Sequence, residues 1–67
     1  MKNTVRKNRE NRGITQGELA EELDVTRQTV NAIEQEKYSP SLELAIKMSE
    51  FFEKPVKKLF CLEEGEV

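Results

Sequence analysis

The sequence predicts an all-α domain of five short helices. Apolar residues recur three and four apart rather than in alternation. N-cap candidates at Asn3, Thr15 and Thr26, together with Gly13, Pro40 and Pro55, interrupt that pattern at short intervals. The third observation is size: 67 residues with one cysteine and no histidine leave neither a disulfide nor a tetrahedral zinc site as a staple. A chain this short buries only about 60% of its unfolded surface. It therefore depends on close helix packing, self-association or both.

The first helix is expected from Thr4 to Arg12, with Asn3 as N-cap and Gly13 as stop signal. Val5 faces inward, and Asn8 falls one turn later on the same face. Ile14 follows as a lone apolar anchor. Thr15-Gln16-Gly17-Glu18 has the form of a capping box, so a second helix should run from Gln16 to Leu23 with Leu19, Ala20 and Leu23 inward. Asp24-Val25 has room only for a tight turn. Thr26 then caps a third helix from Arg27 to about Gln35. Only Val30 and Ile33 are strongly apolar there, leaving a narrow buried stripe and a broad polar face.

Glu36 to Ser39 reads as a loop, with Pro40 in the first turn of the next helix. Leu42, Leu44, Ala45, Met48, Phe51 and Phe52 make Ser41 to Phe52 the expected core helix. Pro55 suits the first position of a short last helix carrying Val56 and Leu59. The tail from Phe60 to Glu64 reads as extended, with Cys61 expected as a small buried hydrophobe. No repeat or linker divides the chain, so residues 1–67 are read as one domain. Nor is there an apolar run near 18 residues or a signal-peptide pattern, which makes a cytoplasmic, membrane-free setting the expectation.

Composition already disfavours an enzyme. Without histidine, catalysis would rest on carboxylates, Lys or Cys61, and so short a chain can hardly enclose a dry pocket around them. No cofactor or metal is expected, and no small-molecule effector is evident. The net charge of −2 hides an uneven distribution. Residues 1–12 hold Lys2, Arg6, Lys7, Arg9 and Arg12 against Glu10 alone, whereas residues 13–26 hold four anions and no cation. A positive end can face a polyanion while the rest faces solvent.

Residues 16–35 carry the most specific pattern. Two helices joined by so short a turn must cross steeply. The crossing needs a small residue at the close approach, Ala20, and a turn residue tolerant of left-handed backbone, Asp24. Leu19, Leu23, Val25, Val30 and Ile33 can pin the elbow from both sides. Such an arrangement places its second helix in the DNA major groove.

These residues, with Gly13-Ile14-Thr15-Gln16-Gly17-Glu18-Leu19-Ala20, Thr26-Arg27-Gln28-Thr29-Val30, Ala32-Ile33-Glu34 and Lys37-Tyr38-Ser39-Pro40-Ser41-Leu42-Glu43-Leu44-Ala45, resemble the Cro and phage-repressor (XRE-type) helix-turn-helix regulators. The resemblance spans nearly the whole chain and is to the minimal single-domain subgroup. It implies a repressor-like fold with the helix-turn-helix at 16–35 and a core and dimerisation region at 41–62. By position, Arg27, Gln28 and Asn31 would contact bases, Arg suiting guanine and Gln or Asn suiting adenine. Thr15, Gln16, Thr26, Thr29, Gln35 and Lys37 would contact phosphates, with Gln16 touching Arg27 or Gln28. Arg9 and Glu34 hold positions where family members often carry an ion pair. Asn8 departs from a leucine-like core position, Gly17 from a better helix former, and Asp24 and Glu36 from glycine.

The function implied is a homodimeric regulator, a repressor acting on an inverted repeat in double-stranded DNA. Phe51, Phe52, Val56, Leu59, Phe60 and Leu62 would supply the dimer surface, and Lys2-Asn3 would pair with Cys61-Leu62 as strands beside it. The alternative reading is a helical protein-interaction module, such as an antitoxin-like partner.

Overall fold

The computed structural model describes residues 1–62. A two-residue strand, β1 (Lys2–Asn3), leads into α1 (Val5–Asn11), α2 (Gln16–Leu23), α3 (Arg27–Glu34), α4 (Leu42–Phe52) and α5 (Val56–Leu59). The strand β2 (Phe60–Cys61) closes the order. The five helices and the short sheet are those of an all-α, repressor-like domain.

Local chemistry sets most boundaries. Thr15 Oγ1 accepts from the Glu18 amide at 3.1 Å, while Glu18 Oε1 accepts from the Thr15 amide at 2.8 Å. This reciprocal capping box starts α2 at the expected residue. Asp24 ends α2 in the left-handed region (φ 57°, ψ 46°), and its carboxylate side chain makes that conformation cheaper than most residues would. Thr26 Oγ1 accepts from the Thr29 amide at 3.1 Å and starts α3. α4 likewise starts where Ser41 Oγ accepts from the Leu44 amide at 3.2 Å.

Several expectations need correction. α1 begins at Val5, not Thr4, because Asn3 and Thr4 are committed to the chain ends. Asn3 sits in β1, and Thr4 donates its amide to Leu59 O at 2.8 Å. Asn3 still serves the helix, since its Oδ1 accepts from the Val5 amide at 3.1 Å. Pro40 lies outside α4, because Ser41 is the cap. Pro55 is itself the N-cap of α5, its extended backbone (ψ 151°) presenting a carbonyl to the Lys58 amide. The strand register is Lys2 with Cys61 and Asn3 with Phe60, one residue earlier in β2 than expected. Strand side chains alternate in direction, so Phe60 turns into the core and Cys61 turns out to solvent; Cys61 is exposed, not buried. Glu63 and Glu64, expected in the extended tail, lie outside the described residues.

The core joins every helix: Val5 from α1; Leu19, Ala20 and Leu23 from α2; Val30 and Ile33 from α3; Leu44, Ala45, Met48 and Phe52 from α4; and Leu59 from α5, with Phe60 beneath them. Leu42, expected in this set, stands 76% exposed in the first turn of α4. Phe52, Leu59 and Phe60 are buried within the single chain and present no surface to a partner. Phe52 and Leu59 face the core from α4 and α5, and the closing sheet carries Phe60 inward, so this part of the proposed dimer surface is withdrawn. Asn8 is buried without penalty, its Nδ2 donating to Thr4 O at 2.8 Å and Thr4 Oγ1 at 3.0 Å. At the far end of α1, the Arg12 guanidinium lies 4.9 Å from the Phe51 ring centre and covers part of it.

Candidate nucleic-acid interface

α3 is held from behind and free in front. Val30 and Ile33 face the core, one turn apart, and leave the other side of the helix to polar residues. Arg27 and Gln28, in its first turn, are exposed; Asn31, one turn on, is half-buried. With Gln16 they line an open groove of about 290 Å³. A neighbouring depression of about 500 Å³ is walled by Arg9, Gly13, Ile14, Thr15, Gln16, Gly17 and Arg27. Gln16 and Arg27 belong to both, so the two form one continuous polar surface around the starts of α2 and α3.

Those two starts also concentrate backbone donors. In α2 the Glu18 amide is capped and the Leu19 amide donates to Thr15 O, which leaves the amides of Gln16 and Gly17 without an acceptor inside the helix. In α3 the same bookkeeping leaves Arg27 and Gln28. Free amides and the helix dipole both favour an anion there. Thr15, Thr26 and Thr29 stand at these ends, with the Thr26 and Thr29 hydroxyls 3.0 Å apart. Gln35 and Lys37 lie at the other end of α3, both exposed, Gln35 as its C-cap. Among the described residues, Arg27 and Lys37 form no ion pair.

Behind the surface lies a buried ion pair. Arg9 Nε is 2.7 Å from Glu34 Oε2 and Nη2 is 3.2 Å from Oε1, a two-pronged contact between α1 and α3. Only 12% of the Arg9 side chain and 3% of the Glu34 side chain reach solvent. The hydrogen bond to Glu34, and then the charges of Glu34 and Glu10, raise the Arg9 pKa further, against the opposing effect of burial. The third arm of Arg9, Nη1, donates to Ile14 O at 2.9 Å and ties down the segment before α2.

Gln16 makes no hydrogen bond to Arg27 or Gln28. Its Nε2 donates instead to Glu34 Oε1 at 3.0 Å and to Asn31 Oδ1 at 3.2 Å. The ion pair draws the side chain toward the α2–α3 crossing, because a buried carboxylate offers the better acceptor. Sequence reasoning also missed Asn3, whose Nδ2 donates to Ile33 O at 2.8 Å and so satisfies a carbonyl near the end of α3. Nothing local in the sequence signals a contact across 30 residues.

The family model described as helix-turn-helix matches residues 5–59, a span that takes in all five helices. The chain belongs to the helix-turn-helix family. It is 44% identical over 66 residues to an uncharacterized HTH-type transcriptional regulator of Methanocaldococcus jannaschii, with 98% of this chain and 100% of that one covered. Bacillus subtilis YgzD, also named as an HTH-type transcriptional regulator, is 47% identical over 64 residues, covering 96% and 97%. A third, from Archaeoglobus fulgidus, is 37% identical over 67 residues, covering 100% and 96%. Membership makes DNA binding and transcriptional regulation the coarse function of this helix-turn-helix domain, and does not favour the protein-interaction alternative. No helix among the described residues is long and apolar enough to cross a membrane.

Proposed function

We propose that this protein is a sequence-specific DNA-binding repressor, acting as a homodimer on an inverted repeat within the cytoplasm. The observation that carries the reading is α3: anchored by Val30, Ile33 and the Arg9–Glu34 pair, with Arg27, Gln28 and Asn31 on its free side. A rigid helix with a polar outer stripe fits the major groove, and free amides at both helix starts suit phosphates. Thr15, Gln16, Thr26, Thr29, Gln35 and Lys37 are the proposed phosphate contacts, Gln16 through its backbone amide, since its side-chain NH₂ is taken by Glu34 and Asn31. The whole chain acts as one domain, with the helix-turn-helix at 16–35 doing the reading. Within 41–62, Leu62 at 57% exposure and the half-buried Phe51 and Val56 remain available for dimer contacts, beside Leu42 and Ile46 on α4. Two half-sites about 34 Å apart, one DNA turn, would match the two-fold symmetry. Repression follows if that operator overlaps a promoter.

Selection of bound duplexes from a random DNA pool tests this directly. The expected product is an inverted repeat. Gln28→Ala should relax one position per half-site at a cost of about 1–3 kcal/mol, whereas Lys37→Ala should weaken all sequences alike and flatten the salt dependence. A pool that gains no sequence bias would end the proposal.

A further inference from the structure

We infer that Asn31 offers DNA only N–H donors, and therefore selects guanine, which presents two adjacent acceptors, over adenine, whose one acceptor lies beside a donor. This inference rests on the DNA-binding reading above and corrects the simplest pairing rule for asparagine, in which Oδ1 and Nδ2 together grip adenine.

Hydrogen-bond polarity passes along a chain of side chains that starts at the buried ion pair. The Arg9 guanidinium has donors only, so Glu34 receives from it as a carboxylate, with acceptors only. The Gln16 atom 3.0 Å from Glu34 Oε1 must then be its NH₂ group, since a carbonyl oxygen there would meet another lone pair. That NH₂ has a second proton, and it points to Asn31 at 3.2 Å. Asn31 must accept it, which places Oδ1 inward. The Gln35 NH₂ group donates to the same oxygen, also at 3.2 Å. Oδ1 has two lone pairs, and both are now occupied.

What remains is the Nδ2 group, on a side chain that lines the groove with Arg27 and Gln28. Two protons there match guanine N7 and O6, whereas adenine offers N7 alone, beside the donor at N6. Gripping adenine would require Oδ1 to turn outward and bring Nδ2 against the Gln16 NH₂, donor against donor. Gln16 is thus a positioning residue: it transmits the polarity of a buried ion pair to a base-reading side chain.

Two measurements test the inference. In the free protein, side-chain amide NMR should show the Gln16 NH₂ protons shifted and protected, and the Asn31 NH₂ protons exchanging freely with water. The reverse pattern would overturn the assigned polarity without any DNA present. In the DNA selection, the position relaxed by Asn31→Ala should be guanine, in a G·C pair, in the wild type. Gln16→Met keeps the length of the side chain but removes its donors, and should admit adenine there with a gain of roughly tenfold relative to wild type. An A·T pair preferred there by the wild type, or no position sensitive to Asn31→Ala, would overturn the inference while leaving DNA binding intact. Absence of any enriched sequence would defeat the DNA-binding reading itself, and this base assignment with it.

Discussion

Glu36 and Asp24 occupy the same region of backbone space, φ 63° and 57°, with different chemical means of tolerating it. A left-handed conformation costs an ordinary L-residue about 1–2 kcal/mol, and aspartate less because its short side chain can satisfy nearby amides. Glycine removes that cost but frees the unfolded chain, at a penalty of about 0.4–1 kcal/mol. Glu36→Gly should therefore stabilise the domain by about 0.5–1 kcal/mol, a few degrees in Tm, whereas Asp24→Gly should change little. Thermal unfolding of both variants checks the difference; equal shifts would show that side-chain chemistry does not matter at these turns. Sequence could flag both positions, since the resemblance to Cro-type regulators implies glycine at each. The short turn already called for left-handed backbone at Asp24, whereas the same angle at Glu36 became visible only in the fold.

At the scale of elements, α1 has little apolar content of its own. Val5 is the one hydrophobic side chain that it buries, with Asn8 beside it. Its hold on α3 therefore depends on Arg9 and Glu34. A pair this buried is not a simple stabiliser: desolvating both charges offsets much of their attraction. Losing one partner is worse, because an unpaired charge stays behind. Arg9→Met or Glu34→Met alone should destabilise by about 3–5 kcal/mol, and the double substitution by less than either. A double-mutant cycle by urea unfolding measures this directly, and near-zero coupling would mean that the helices are held by packing alone. The pH dependence has a definite sign. Pairing raises the Arg9 pKa, so this residue's contribution is complete below arginine's ordinary range and is lost only in strong alkali.

For the whole molecule, the closing sheet decides which apolar residues are inside. β1 and β2 draw Phe60 under the helices to 7% exposure and leave Leu62 at 57%. An aspartate at these two positions should therefore act in opposite ways. Phe60→Asp should unfold the domain, because a carboxylate cannot replace a buried ring without a partner. Leu62→Asp should stay folded, as judged by circular dichroism, and weaken self-association if the proposed dimer uses that surface. Sedimentation of Leu62→Asp beside the wild type separates the effects. A folded Phe60→Asp protein would contradict the burial assigned to Phe60.

What the sequence determined by itself was local: where α2 and α3 start and the tight turn between them, which face is apolar, and which polar residues the third helix has to offer. Caps, turns and periodicity act over three or four residues, so their energies can be read along the chain. Tertiary structure alone decided the rest. Pairing of Lys2-Asn3 with Phe60-Cys61 chose between core and surface for Phe60 and Cys61, since a one-residue change of register reverses which side chains point inward. Burial of Arg9 and Glu34 then redirected Gln16 from the recognition helix's first turn to Asn31. Those choices depend on distances between residues 15 to 59 positions apart, and no local preference encodes them.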